Sequence, residues 1–174
     1  EFGDVRVEPA AAAADLRATL GEARLRLGRT AEARVDFEAA LAQQPKNTPA
    51  RLGQAMLALS DGQPDRALAL IDQLLADDPQ FARAHGMRSD LLQLRGDAAG
   101  AKQALQKAIE ADPRFLPARL ALVSILIGEG ALEDAAAQIA AGRKASRGDS
   151  RLVLLDAMVS MRKGDRAAAR DRKS

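Results

Sequence analysis

Few residues in this chain have the type and spacing that chemistry needs. His85 is its single histidine and cysteine is absent, which excludes disulfides, thiol catalysis and thiolate metal sites. A zinc site would rest on carboxylates alone, which zinc rarely accepts. A packed or half-exposed side chain is therefore the better reading of His85 than a ligand or a base. The acidic pairs Asp77/Asp78 and Glu133/Asp134 are neighbours in sequence. Adjacent side chains diverge on a helix, so these pairs read as solvated surface or caps. Ser146, Ser150 and Ser160 have no histidine near them in sequence to take a proton. The glycines are spread too widely to form a phosphate loop, and aromatics make up only 2% of the chain, leaving no platform for nucleic-acid bases. These residues point away from an enzyme, from any cofactor or metal, and from nucleic acid as a partner.

The elements that hold them are set by a repeated punctuation mark. Gly28, Gly62, Gly96, Gly130 and Gly164 are separated by 34 residues each, with Ala33, Ala67, Ala101, Ala135 and Ala169 five residues further on. Pro45, Pro79 and Pro113 follow the first three glycines by 17 residues. A fixed period of this length marks a helical repeat array. Composition agrees: 47% of the 174 residues are hydrophobic, neither Trp nor Tyr occurs, and proline sits at boundaries. The longest apolar run, Leu120 to Ile127, is interrupted by Ser124 and is too short to span a bilayer, so direct membrane insertion is not expected. No signal peptide is recognisable, and a start at Glu1-Phe2-Gly3 without Met is expected of an excised or processed fragment.

Residues 1–13 read as a linker or remnant. The array covers 14–174, in units 14–47, 48–81, 82–115, 116–149 and a partial 150–174, which predicts ten helices in antiparallel pairs. Helix A of the first unit is expected over Asp15 to Leu27 and helix B over Ala31 to Gln43. Thr48-Pro49 reads as N-cap and first helical residue, with Asn47 left in the preceding loop, and Pro64 opens the next helix. Asp97 and Asp165, each directly after a glycine, read as N-caps. Phe81 and Phe115 are expected to wedge between units. In unit four Arg147 replaces the terminal proline. Gly21, Ala55, Ser89, Val123 and Ala157, mostly small, precede the glycines by seven residues. Phe37, Ile71, Leu105 and Ile139 follow the first four by nine, and Ala40, Leu74, Ala108 and Gly142 by twelve. Small residues facing large ones at helical spacing give interdigitating pairs, and each pair needs the next to bury its second face.

The period, the small residue before the turn, the glycine, the alanine, the large apolar residue and the closing proline together resemble the tetratricopeptide (TPR) repeat. The resemblance covers about residues 14–174. It departs from the family in early helix A, where a large aromatic is replaced by Arg17, Arg51, His85, Arg119 and Val153, and in the following leucine slot, which holds Gln54, Arg88 and Asp156. The resemblance implies an all-α, right-handed superhelical solenoid of antiparallel helix pairs, with about five repeats, the last incomplete. It also implies a concave face lined by helix A. On that reading the partner-binding groove is Leu52, Met56, Leu59, Met87, Asp90, Leu120, Ser124, Ile127, Leu154 and Met158. Ala18, Glu22, Leu25, Gly86, Gln93 and Met161 occupy the corresponding slots elsewhere. Methionine suits an adaptable surface. Because helix A registers can rotate, core remains the alternative for several of these residues. The lysine/asparagine clamp and the asparagine ladder of specialised family members are both missing.

The function this implies is a non-catalytic scaffold that binds a partner peptide or protein. The alternatives are a self-assembling structural array joined through exposed terminal repeats, or a spacer for a catalytic domain elsewhere. The Ala/Leu-rich units and Asp-Pro-x-Phe junctions are loosely similar to repeat proteins of bacterial exopolysaccharide and envelope systems, which sets the periplasm slightly ahead of the cytoplasm. Net charge is −3 over 48–81 and +4 over 150–174. Such a gradient either orients a partner or marks a basic tail exposed by truncation, and the second reading is favoured. The apolar fifth helix A, Leu152 to Met161, predicts that further repeats follow in the native protein, and that this chain covers its C-terminal face by association or leaves its last helix frayed.

Overall fold

Four of the five spaced glycines end helices in the same way. Gly28, Gly62, Gly96 and Gly130 all have φ between 72° and 78°, a left-handed conformation that costs glycine least. In the first, the Gly28 N–H donates to the Leu25 carbonyl at 3.0 Å and the Arg29 N–H to the Arg24 carbonyl at 2.9 Å, closing the last turn of the helix with a Schellman pair. A computed structural model of the chain describes the backbone of residues 9–146 and 149–171, and the side chains of 12–146 and 149–164. The described residues form nine helices and no strand. They fall into two compact units, 1–79 and 80–174.

The first unit holds α1 (Pro9–Arg26), α2 (Thr30–Gln43), α3 (Thr48–Ser60) and α4 (Pro64–Asp77). It packs as the pairs α1/α2 and α3/α4, with α3 also against α1 and α2. Its core follows the large-against-small rule. Phe37 of α2 is almost wholly buried and fills the space left by Gly21 and Gly53, where an added Cβ would meet its ring. Asp36 is buried beside it, with Arg24 Nη1 2.6 Å from Oδ2 and Arg17 Nη1 3.9 Å from Oδ1. A buried carboxylate needs such partners. Arg51, in the next repeat's aromatic slot, pairs with Asp77 at 2.8 Å.

The second unit holds α5 (Ala82–Leu94), α6 (Ala98–Ala111), α7 (Leu116–Glu129), α8 (Leu132–Ala145) and α9 (Ser150–Asp171). Its core gathers Leu105, Leu122, Val123, Leu126, Ile139 and Val159. Phe115 packs on this core and lies 3.1 Å from a Cβ built on Gly86, which places its ring between repeats three and four as expected. Arg119 is buried. Its stem crosses Gly142, while its guanidinium donates to Gln138 Oε1 at 2.9 Å and to the Pro113 carbonyl at 3.2 Å. Burial lowers its pKa from the usual guanidinium value. Arginine thus fills the aromatic slot with its hydrocarbon stem and satisfies its head on the neighbouring helix.

Asp97 caps α6, accepting from the Gly100 N–H at 2.8 Å, and Pro64 opens α4, both as expected. Four expectations need correction. Helix α1 starts at Pro9 rather than near Asp15. The cap of α3 is Asn47, not Thr48: its Oδ1 accepts from the Ala50 N–H at 2.9 Å and its amide donates to Asp15 at 2.6 Å. A second acceptor on α1 gives Asn47 more bonds than a threonine hydroxyl would make there. Gly164 is not a turn and Asp165 is not a cap, since α9 runs straight through both. Among the described residues, nine helices therefore replace ten. The turn glycines elsewhere lead into a helix B anchored by Phe37, Ile71, Leu105 or Ile139. The fifth unit has Lys173 at that position, so folding back gains little apolar burial, and a continuous helix satisfies the backbone instead. Residues 1–8, Arg147, Lys173 and the Ala169 side chain lie outside the described residues.

Two stability tests follow from these contacts. In urea unfolding, Gly53→Val is expected to cost about 1–3 kcal/mol by overpacking Phe37. By contrast, Gly128→Ala, with nothing within 4 Å of the new Cβ, is expected to be neutral or to stabilise α7 by up to about 1 kcal/mol. Arg24→Met strands the buried Asp36 and is expected to cost about 2–3 kcal/mol, while Arg24→Met with Asp36→Leu recovers most of that loss.

Candidate partner-binding surface

Each helix A of the array has one face turned into the core and an opposite arc that its neighbours leave open. On α3 of the first unit, Met56 and Leu59 lie at the border of that arc and are half-buried. Leu52 is only 3% exposed. It is buried like its neighbour Gly53 on α3, so it does not line an open groove, and its assignment to one is corrected. The first unit also holds a cleft of about 140 Å³ between α2, α3 and α4, floored by Phe37, Leu57 and Leu70. Arg34 and Asp61 pair across its rim at 2.8 Å.

The second unit carries the larger set. On α5, Met87 is half-buried, and Asp90 and Gln93 are exposed. Leu94, which the sequence reading missed, is 69% exposed one turn beyond Asp90. Its signal was its i+4 spacing from Asp90, which the slot-by-slot comparison did not sample. The Asp90 carboxyl has its pKa raised above the ordinary aspartate value by partial burial. On α7, Leu120 is half-buried and Ser124 exposed, with the Ser124 hydroxyl donating to the Leu120 carbonyl at 2.9 Å. That bond leaves the serine less available for a partner. Ile127 is buried with Leu122 and Leu126 and is the second correction: α8 and α9 both pack on α7 and close over its C-terminal half.

On α9, Leu154 and Met161 are 63% and 64% exposed and Met158 is half-buried. The helix is held against its neighbours by polar contacts as well as by Leu152 and Val159. Arg162 donates to the Ile127 carbonyl at 2.9 Å, and Asp156 pairs with Arg143 of α8 at 2.7 Å. The packed pair α7 and α9 therefore brings Leu120, Ser124, Leu154 and Met158 onto adjoining helices. His85 is buried, as expected for a packed side chain. Among the described residues no three His, Asp or Glu side chains gather as metal ligands, and no helix is long and apolar enough to cross a membrane.

Comparison with known proteins agrees with this geometry. A family model described as tetratricopeptide repeat matches residues 24–91 and 92–159. Cellulose synthase operon protein C of Pseudomonas fluorescens (strain SBW25) is 31% identical over an alignment of 116 residues that covers 62% of this chain and 9% of that protein. The chain thus corresponds to a small part of that relative's length. Among solved structures, a thermophilic tetratricopeptide repeat protein of Thermus thermophilus is similar with a TM-score of 0.70 at 19% identity, over 85% of this chain and 81% of that one. MamA protein is similar with a TM-score of 0.65 at 18% identity, over 91% and 87%. At these identities the two structures speak for the fold alone. With the family model spanning most of its helices, the chain belongs to the tetratricopeptide repeat family.

Proposed function

We propose that the chain is a non-catalytic scaffold that holds a peptide segment of a protein partner on the open helix A arc of its second unit. The observation that carries this reading is the concentration of exposed apolar side chains on that arc. Leu94, Leu154 and Met161 are each more than 60% exposed, with the half-buried Leu120 and Met158 beside the last two. Side chains of this size left in water are a standing free-energy source for association. Asp90 adds a carboxylate in a partly desolvated setting, which favours a peptide that combines apolar residues with a Lys or Arg. The similarity to a cellulose synthase operon protein supports a place in a bacterial envelope or exopolysaccharide secretion complex, and with it the periplasm.

A mixed-sequence peptide library panned against the immobilised chain tests the reading. Enrichment of apolar peptides bearing one basic residue is expected, and Leu154→Asp is expected to abolish it without lowering the melting temperature. No enrichment above that of an unrelated helical repeat protein would overturn it. Asp90 gives an independent check. Its raised pKa means that ionisation works against the folded state, so its neutral form's contribution is complete below the ordinary aspartate range and is lost as pH rises through the raised value. Asp90→Asn is expected to be more stable than the parent at pH 7, with the two converging in acid. It is also expected to bind the basic peptides about two- to fivefold more weakly.

A further inference from the structure

We infer that the cleft between α2, α3 and α4 of the first unit binds a free α-amino acid with a branched aliphatic side chain. This goes beyond peptide capture and uses residues apart from the arc of the second unit. The cleft holds about 140 Å³ over a floor of Phe37, Leu57 and Leu70. The repeat shows why space is left there. Ala58 lines the cleft, and the positions equivalent to it one and two repeats on are Leu92 and Leu126, both buried. Gln54, also on the lining, is matched two repeats on by the buried Leu122. Leu122 and Leu126 join Leu105 and Ile139 in the core of the second unit. The first unit thus lacks there the branched aliphatic carbons that the second unit supplies for itself. Phe37 does not replace them, because its ring is seated on Gly21 and Gly53. An apolar cavity of about 150 Å³ takes one benzene-sized group, so the space suits a single side chain rather than a drug-sized ligand.

The rim sets the charge of the ligand. Arg34 of α2 is already paired with Asp61 at 2.8 Å. That pair ties α2 to the turn after α3, and Arg51 with Asp77 ties α3 to the end of α4, so the walls stand in place before anything binds. Glu38 of α2 and Gln54 of α3 line the cleft and make no hydrogen bond or ion pair among the described residues. Arg66 of α4, on the other wall, donates to the neutral Gln63 amide at 3.1 Å and pairs with no carboxylate among the described residues. The opening therefore carries one carboxylate and one guanidinium without counter-ions above an apolar floor. A purely aliphatic guest would match neither charge, and an amine or a carboxylic acid would match one. An α-amino acid matches both: its ammonium meets Glu38 and its carboxylate meets Arg66. Gln54 can donate and accept, and so serves either group. The ligand's side chain then takes the place of the leucine that the later repeats provide.

Titration of the isotope-labelled full chain with L-leucine, followed through its amide NMR signals, tests this. Saturable shifts centred on the amides of α2, α3 and α4 around the cleft are expected, with a dissociation constant on the order of 1 mM for so small a ligand. Isocaproate, which lacks the ammonium, and leucinamide, which lacks the carboxylate, are each expected to bind about fivefold more weakly or worse. Glu38→Gln and Arg66→Gln, both at exposed positions, are expected to weaken leucine binding by a similar factor without lowering the melting temperature. Ala58→Leu copies the later repeats and fills the cleft. It is expected to abolish binding while leaving the melting temperature unchanged or raised, and Ala58→Val is the milder filling if circular dichroism shows that the leucine disturbs the helix pair. No saturable shift up to about tenfold above the expected constant, leucinamide binding as tightly as leucine, or undiminished binding by a folded Ala58 variant would each overturn the assignment.

Discussion

A helix pair in this chain has two apolar faces and can bury only one of them within itself. The remaining structure depends on that constraint. Leu122, Val123 and Leu126 of α7 are buried because α7 has α6 on one side and α8 and α9 on the other. Leu16 of α1 stands at the position equivalent to the buried Ala50 of α3 and is exposed among the described residues. Identity of the side chain does not decide its burial here; the presence of the next helix does. This is why the exposed large apolar side chains lie on helix faces that no described neighbour covers.

The turn glycines show the same dependence at the level of the backbone. Four adopt a left-handed conformation and release the chain into a helix B that lands on its own helix A. The fifth, Gly164, is followed by Asp165 as Gly96 is by Asp97, yet α9 continues through it. A left-handed glycine ends a helix cheaply, but the energy that rewards the reversal comes from what the second helix buries. Local signals are necessary for the hairpin and are not sufficient without an anchor at the position nine residues on.

Most of the fold was legible because the 34-residue period constrains many positions at once. The alanines at Ala33, Ala67, Ala101 and Ala135 are all fully buried, as their spacing implied, and so are the large side chains they accompany. What the sequence left hidden depended on a helix's rotation or on its absent neighbours. Leu52 and Ile127 occupy slots that the family pattern gives to the groove, yet both are buried, because the neighbours of each helix A, not the slot alone, decide which of its residues are covered. Asn47 became the cap of α3 because Asp15, 32 residues away, offered its amide an acceptor, a contact no local rule contains.

The departures from the family pattern in early helix A bear on function through specificity of packing. Arg17, Arg51 and Arg119 each reach a polar group on the helix B of their own pair or on the junction before it. An aromatic there would contribute more apolar burial and would tolerate small shifts of the facing helix. A guanidinium held by a carboxylate or carbonyl at a fixed distance tolerates less, because a displaced partner leaves a charge unsatisfied. The buried Arg119 therefore holds α7 in register against α8 and the junction before it, whereas Arg17 and Arg51 pair partly in water and hold their helices less firmly. Where the arginine is buried, the family's aromatic slot thus trades apolar burial for a contact that depends on the position of its partner.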